Sequence, residues 1–220
     1  MNKLVKFIFV ITLILLLITA FSDSYFSLSI DNLAYVLAIG IDKSTTNKLQ
    51  VSFQFSTTTS VTEGGTTEKT PSLIKTVEAS SLSTAINLMN SYMGKELNLS
   101  HCKVIVFSEE IAIEGISDEL YTLINDTQVR PSSNIIVSKC NAKYYLEENK
   151  LELENLISKY YEIFTNSSRY TGFMPNAAIG DFFNAIKCKQ CMPYAILGNV
   201  NNTQSENIGL AAFSDDKLVR

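Results

Sequence analysis

The run from Phe7 to Ser22, FIFVITLILLLITAFS, carries no charge and follows Lys3 and Lys6. Nothing else in the chain limits its fate so tightly. Three outcomes fit such a segment: a cleaved signal peptide, an uncleaved membrane anchor, or a buried core helix. A core helix is disfavoured because the run has no polar face to turn toward water. The basic flank keeps the N-terminus inside while the apolar run enters the bilayer. For cleavage, Ile18-Thr19-Ala20 offers a small residue, although the large Phe21 follows. For an anchor, a spanning helix needs about 20 apolar residues, with a lower limit near 17. Counted from Leu4, with Lys6 reaching back toward the headgroups, the run is just long enough. Residues 1–24 therefore form a signal or anchor segment, and the rest of the chain is expected on the outer side of a membrane.

The remainder has the composition of a folded protein. Of 220 residues, 46% are hydrophobic and 18% charged, which leaves ample material for a core. A formal charge of −4 with no Lys- or Arg-rich run excludes a nucleic-acid binder, which presents a concentrated basic face. Leu33 to Ile41 (LAYVLAIGI) is a short apolar run ending at Asp42, the pattern of a buried strand. Val51, Phe53 and Phe55 alternate with Ser52 and Gln54, a period of two that gives a strand one buried face. Thr57 to Ser72 is polar, with two glycines and a proline, and reads as a long exposed loop, either mobile or part of a binding surface.

Helices and strands then alternate. Leu82, Ala85, Ile86, Met89 and Met93 recur at helical spacing between Ser81, a good N-cap, and Gly94, a stop signal. Lys103 to Phe107 reads as a strand, Glu109-Glu110 as the acidic start of a helical stripe continuing through Ile116, Leu120, Leu123 and Ile124. Asn134 to Cys140 is another strand, and Ala142 to Glu148 a short helix behind Asn141. From about Lys150 a second unit is expected: a helix over Leu151 to Phe164, another over Ala177 to Ile186, and a turn over Cys188 to Pro193. Strands Tyr194 to Leu197 and Ile208 to Phe213 follow, joined by an Asn-rich link from Asn199 to Asn207. Asp215-Asp216-Lys217 forms a turn into Leu218-Val219, where the chain stops in mid-strand. The expected class is α+β, with mixed sheets flanked by helices behind an N-terminal apolar helix. Its units are a first domain over residues 25–149 and a second over residues 150–220, cut at its end.

Catalytic chemistry is sparse, and no enzyme is expected. His101 is the single histidine and has no Asp or Glu in its own segment to orient it, so an edge or core role is favoured. No nucleophile elbow or phosphate loop occurs. The carboxylate pairs Glu109-Glu110, Glu147-Glu148 and Asp215-Asp216 are adjacent in sequence and diverge in space, which is the pattern of solvated charge. Cys188 and Cys191 form a C-x-x-C, a weak candidate for half a metal site, a redox pair, or a structural disulfide. A closed zinc site would need further ligands from Cys102, Cys140 and His101, while a redox pair belongs at a helix N-terminus, and this one follows a helix. A structural role is the favoured reading, with no metal and no cofactor.

Several segments together resemble one family. Asp31 to Asp42 (DNLAYVLAIGID) looks like the opening signature of the Ger(x)C spore germination proteins, the C subunits of germinant receptors. His101 to Ala112 (HCKVIVFSEEIA) with Glu114-Gly115-Ile116, then Val129-Arg130-Pro131, then Gly209 to Phe213 with Asp216 to Val219, continue the resemblance in order. Each block alone is weakly specific; four in sequence behind an export segment are far more so. Two departures stand out. Ser24 occupies the position of the family's acylated Cys, and Tyr25-Phe26 replaces its Trp-Asp, so lipidation is not carried over. The family has three domains, and this chain ends where the third would begin.

The resemblance implies a non-enzymatic subunit in the spore inner membrane, on its extracytoplasmic face. Its implied partners are the membrane-embedded A and B subunits of the receptor, and the Thr57–Ser72 loop is one candidate contact. With no acyl group to hold it, the apolar helix is expected to remain as the anchor. The alternative from a different class is an exported ligand-binding or cell-envelope interaction module unrelated to germination, which would need a pocket with converging polar groups.

Overall fold

A computed structural model describes residues 3–22, 32–56, 73–148, 163, 166, 175–188, 190–201 and 204–219. They divide into two units, Met1–Asn32 and Leu33–Arg220. The first contains helix α1, Lys3–Ser22, whose described side chains, Lys3 through Leu16, are exposed. Among the described residues no helix is long and apolar enough to cross a membrane.

In the second unit, strand β1 (Leu33–Lys43) is the organising element. It pairs antiparallel with β2 (Leu49–Phe55), which pairs antiparallel with β3 (Leu73–Ala79) at the sheet's edge. On its other side β1 runs parallel to β4 (Glu96–Asn98) at its start and to β5 (Val104–Ser108) further along. Strands β6 (Asn134–Ser138) and β7 (Tyr194–Asn201) extend the parallel set, and β8 (Gln204–Ser214) and β9 (Lys217–Leu218) close it as antiparallel hairpins. The described strands form one nine-stranded sheet in the order β3-β2-β1-β5-β6-β7-β8-β9, with β4 beside β1. The expected separate sheets are thus one continuous sheet. The expected boundary near Lys150 lies outside the described residues, and β6 and β7 on its two sides are paired neighbours.

Helices cover both faces. Helix α2 (Leu82–Met93), α3 (Glu109–Glu114), α4 (Ser117–Asn125) and α6 (Ile179–Lys187) bury Met89, Ile111, Leu120 and Phe182 in one cluster with Ile41, Phe53, Phe107 and Val137. Helix α5 (Ala142–Glu147) packs Tyr145 and Leu146 with Ala38, Val106, Ile136 and Ile196 in a second cluster. Alternation explains the split: Phe107 and Val106 are neighbours in sequence but point to opposite sides of the sheet. A buried strand between two helical layers reads as a continuous apolar run, as VIVF in β5 does.

Local signals account for both ends of α2. The Thr84 N–H donates to Ser81 Oγ at 3.2 Å, and Gly94 closes α2 in the left-handed region at φ 59°, as the caps predict. Two expectations need correction. The stripe from Glu109 to Ile124 is two helices, because Gly115 takes φ 120° and ends α3. The Asn199–Asn207 link is largely strand: Asn199 pairs with Glu206 and Asn201 with Gln204, since ladder bonds use the backbone whatever the side chain. Asn141 precedes α5 but makes no side-chain cap, because another residue has taken that role. The sequence reading also passed over β3 and β4, and the expected helix over Leu151 to Phe164, apart from helical Ile163, and the Thr57–Ser72 loop lie outside the described residues.

Candidate functional site

The parallel strands end in a row of polar residues. Register pairs Ser108 of β5 with Ser138 of β6, and Ser138 with Gly198 of β7. Asp42, one position past the Ile41–Phe107 pair, continues the row on β1. By alternation these residues face the α5 side, beyond Gly40, Val106 and Ile136. A buried strand end would normally be apolar, so each member of the row needs an explanation.

Asp42 has a clear one. It is fully buried, and its Oδ1 accepts the Ala142 N–H at 2.6 Å while Oδ2 accepts the Lys143 N–H at 2.9 Å. These are unpaired donors of the first turn of α5, supplied with acceptors from 100 residues upstream. Gly40, on the same face, lets the helix approach: a Cβ there would meet Leu146 Cδ1 at 3.0 Å and Ala142 C at 3.3 Å. Burial is the largest influence on Asp42 and raises its pKa, the two N–H donors oppose it, and nearby Glu110 adds to the rise.

Ser108 has no such partner. Only 5% of the residue is exposed, and among the described residues its Oγ is without a hydrogen bond. It lies in the wall of a crevice of about 280 Å³ lined also by Glu109, Glu110, Lys139, Cys140 and Asn141, with Ile113 as an apolar side. The crevice follows from topology. From β5 the chain passes into α3 on one face of the sheet, and from β6 it passes into α5 on the other. Neighbouring strands whose exits diverge in this way leave a gap outside their carboxyl ends, where sheets of this kind bind ligands. The Ser138 hydroxyl lies 3.2 Å from the Cys140 thiol at one side.

A second long-range tie holds the opposite side of the unit. Asp216, in the β8–β9 turn, accepts the Ile116 N–H through its backbone oxygen at 3.1 Å and the Ser117 N–H through Oδ2 at 3.3 Å. It thereby caps α4, whose own preceding residue, Ile116, has no side-chain acceptor. Glu119 of the same helix is buried and its pKa is raised by desolvation, with Lys48 4.0 Å away.

The other residues singled out by sequence are dispersed. Cys188 and Cys191 form a disulfide directly after α6, at that helix's C-terminus, so the pair lacks the N-terminal setting that activates a redox thiol. Cys102 is buried and its thiol is pushed up to about 12 by desolvation, whereas Cys140 is half-buried beside the crevice. No group of three metal-ligating side chains occurs among the described residues. His101 is exposed and meets the Tyr35 ring edge-on at 5.1 Å. Glu109 and Glu110 share the crevice, unlike Glu147-Glu148 and Asp215-Asp216, which do not line it. Ser24 lies outside the described residues. Asp42 and Ser108 escaped the sequence reading as site residues; an acidic residue at the end of an apolar strand run was the one available hint.

A family model described as "Spore germination protein N-terminal domain" matches residues 27–197. No curated protein matches the chain. Among solved structures it is similar to one titled "Crystal Structure of the GerBC protein", at 15% identity and a TM-score of 0.39 over 82% of this chain and 50% of that one. The chain therefore spans half the length of that protein.

Proposed function

The chain belongs to the Ger(x)C family of spore germination proteins, and from that premise we propose that it is the C subunit of a nutrient-germinant receptor, acting without catalysis. The family match, which takes in most of the chain, is the observation that carries this reading. In this proposal the protein sits at the extracytoplasmic face of the spore inner membrane and docks against the membrane-embedded A and B subunits. The uncharged run from Phe7 to Ser22 behind Lys3 and Lys6 supports a membrane location, and with no thiol at Ser24 to acylate, docking to the membrane-embedded subunits would hold the chain there. The polar segment Thr57–Ser72 is a candidate contact with a partner subunit. The Leu33–Arg220 unit would supply a rigid platform, its sheet covered on both faces.

Affinity purification of the tagged full chain from solubilised spore membranes tests the reading. Co-purification of multi-spanning receptor subunits, with loss of nutrient-triggered germination when the gene is deleted, is expected. Normal germination in the deletion strain, together with a chain that fractionates alone, would overturn it. Assembly that survives deletion of residues 57–72 would remove that loop as the contact. The alternative of a ligand-binding module has one feature in its favour, the crevice at Ser108, and ligand binding there is compatible with a receptor subunit.

A further inference from the structure

We propose that the Cys188–Cys191 disulfide is a reversible thiolation site: a low-molecular-weight thiol opens it in the folded protein and stays bonded to Cys191, and Cys188 becomes the thiol that later expels it. The bond joins residues at a sequence separation of 3, and a disulfide that closes so short a loop constrains the unfolded chain least. The turn is held without it. The Cys188 N–H donates to Asn184 O at 3.1 Å, and the Cys191 N–H donates to Cys188 O at 3.1 Å. Both flanks are anchored separately, α6 by buried Ile179 and Phe182, and the start of β7 by the Phe213 N–H donating to Pro193 O at 2.9 Å. Opening the bond therefore leaves the fold standing. Access to the two sulfurs is unequal, since Cys191 is exposed and Cys188 half-buried.

That asymmetry sets the direction of exchange. An incoming thiolate attacks Cys191 Sγ and forms a new S–S bond there. The Cys188–Cys191 bond breaks, and Cys188 leaves as a thiolate that takes up the proton the incoming thiol has lost. No oxidant or reductant is consumed, because one thiol and one disulfide become another thiol and another disulfide. The pair is the target here and not the attacker, so the absence of a helix N-terminus is no obstacle. Cys188 stands between Lys187 and Lys189 in the sequence, and neighbouring cations favour a departing thiolate. It stays close to Cys191 after the bond opens, which lets it reverse the step when free thiol falls. The adduct lies beside Met192 and Tyr194, both large and exposed, so thiolation alters a surface patch and leaves the core alone. The site belongs to the Leu33–Arg220 unit and does not depend on receptor assembly.

Reduced glutathione is the probe. The native full chain is incubated with it, quenched at early times with N-ethylmaleimide, and read by mass spectrometry of the peptides, which separates this pair from free Cys102 and Cys140. The expected product carries glutathione on Cys191 and N-ethylmaleimide on Cys188, in about tenfold excess over the reverse isomer. Removal of glutathione before quenching should restore the disulfide, and the circular dichroism and unfolding midpoint should match those of the untreated chain. Single variants give a second reading: oxidised glutathione should modify the lone thiol of Cys188→Ser about tenfold faster than that of Cys191→Ser. Exchange that begins only in denaturant would overturn the proposal, as would an adduct found mainly on Cys188. So would loss of the folded state when the bond opens, which would make the disulfide a structural staple, or equal rates in the two variants.

Discussion

Replacing Asp42 by Ala is the sharpest test of the architecture, because it removes one side chain and orphans two backbone donors. The Ala142 and Lys143 N–H groups lose acceptors at 2.6 and 2.9 Å, and Ala142 is buried, so water cannot replace the bond without opening the structure. Hydrogen bonds to a charged group contribute about 1.5–3 kcal/mol each. Part of this is returned, since burial disfavours the Asp42 carboxylate and the variant no longer carries that cost. A net loss of about 2–3 kcal/mol follows, lowering Tm by about 4–12 °C at the 2–4 °C per kcal/mol typical of this size. Denaturant unfolding of the purified full chain measures the first figure, and hydrogen exchange at Ala142 and Lys143 locates it. Asp42→Asn should cost about half as much, because its amide oxygen still accepts one N–H while its NH2 faces the other.

The pH dependence gives an independent arm. Burial raises the folded-state pKa of Asp42 above its ordinary value, so folding favours the protonated acid. That contribution is fully present below the unfolded pKa of about 3.9 and is lost as pH rises through the raised folded value. Wild type should therefore gain stability relative to Asp42→Asn as pH falls from 7 toward 4. A loss below about 1 kcal/mol in Asp42→Ala, the scale of an ordinary exposed cap, would refute the reasoning. So would exchange protection lost uniformly across the sheet with no excess at α5.

Two further substitutions test packing. Gly115→Ala should destabilise by about 2 kcal/mol or more in denaturant unfolding, because φ 120° disfavours any side chain and its Cβ would fall 2.6 Å from Asp216 Oδ2, the cap of α4. Phe182→Ala should cost about 3–5 kcal/mol, since its ring is buried edge-on against Phe213 at 4.9 Å and joins α6 to β8. A loss under about 1 kcal/mol would show that α6 is not seated on the sheet.

Legibility differed by the range of the interaction. Ser81 and Gly94 announced the ends of α2 because a cap acts on residues within one turn. The run VIVF announced β5 because a strand buried on both faces must be apolar throughout. Asn141 marked the start of α5 but not what holds it. A good capping residue predicts a helix start but not the acceptor used, and Asp42 reaches the same donors through the parallel pairing of β1 with β5 and its neighbours. The Asn-rich segment before Asn207 read as a link because strand propensity is mostly side-chain packing, whereas its backbone had a partner strand waiting.

The crevice lay beyond sequence reading altogether. Glu109 and Glu110 looked like solvated charge, and Ser108 like the last residue of a strand. Only the exit of β5 to one face and β6 to the other puts them around a common space. What the sequence determined by itself was the uncharged N-terminal run, the alternation of strands and helices, and the ordered blocks that resemble the family. Those are properties of residue type and short spacing, which the chain carries before it folds. The tertiary structure alone decided that Asp42 caps α5, that Asp216 caps α4, and that the Ser108 hydroxyl is buried without a hydrogen-bond partner among the described residues. Each of these joins groups distant in the chain, and proximity of that kind exists only once the sheet has set which strand lies beside which.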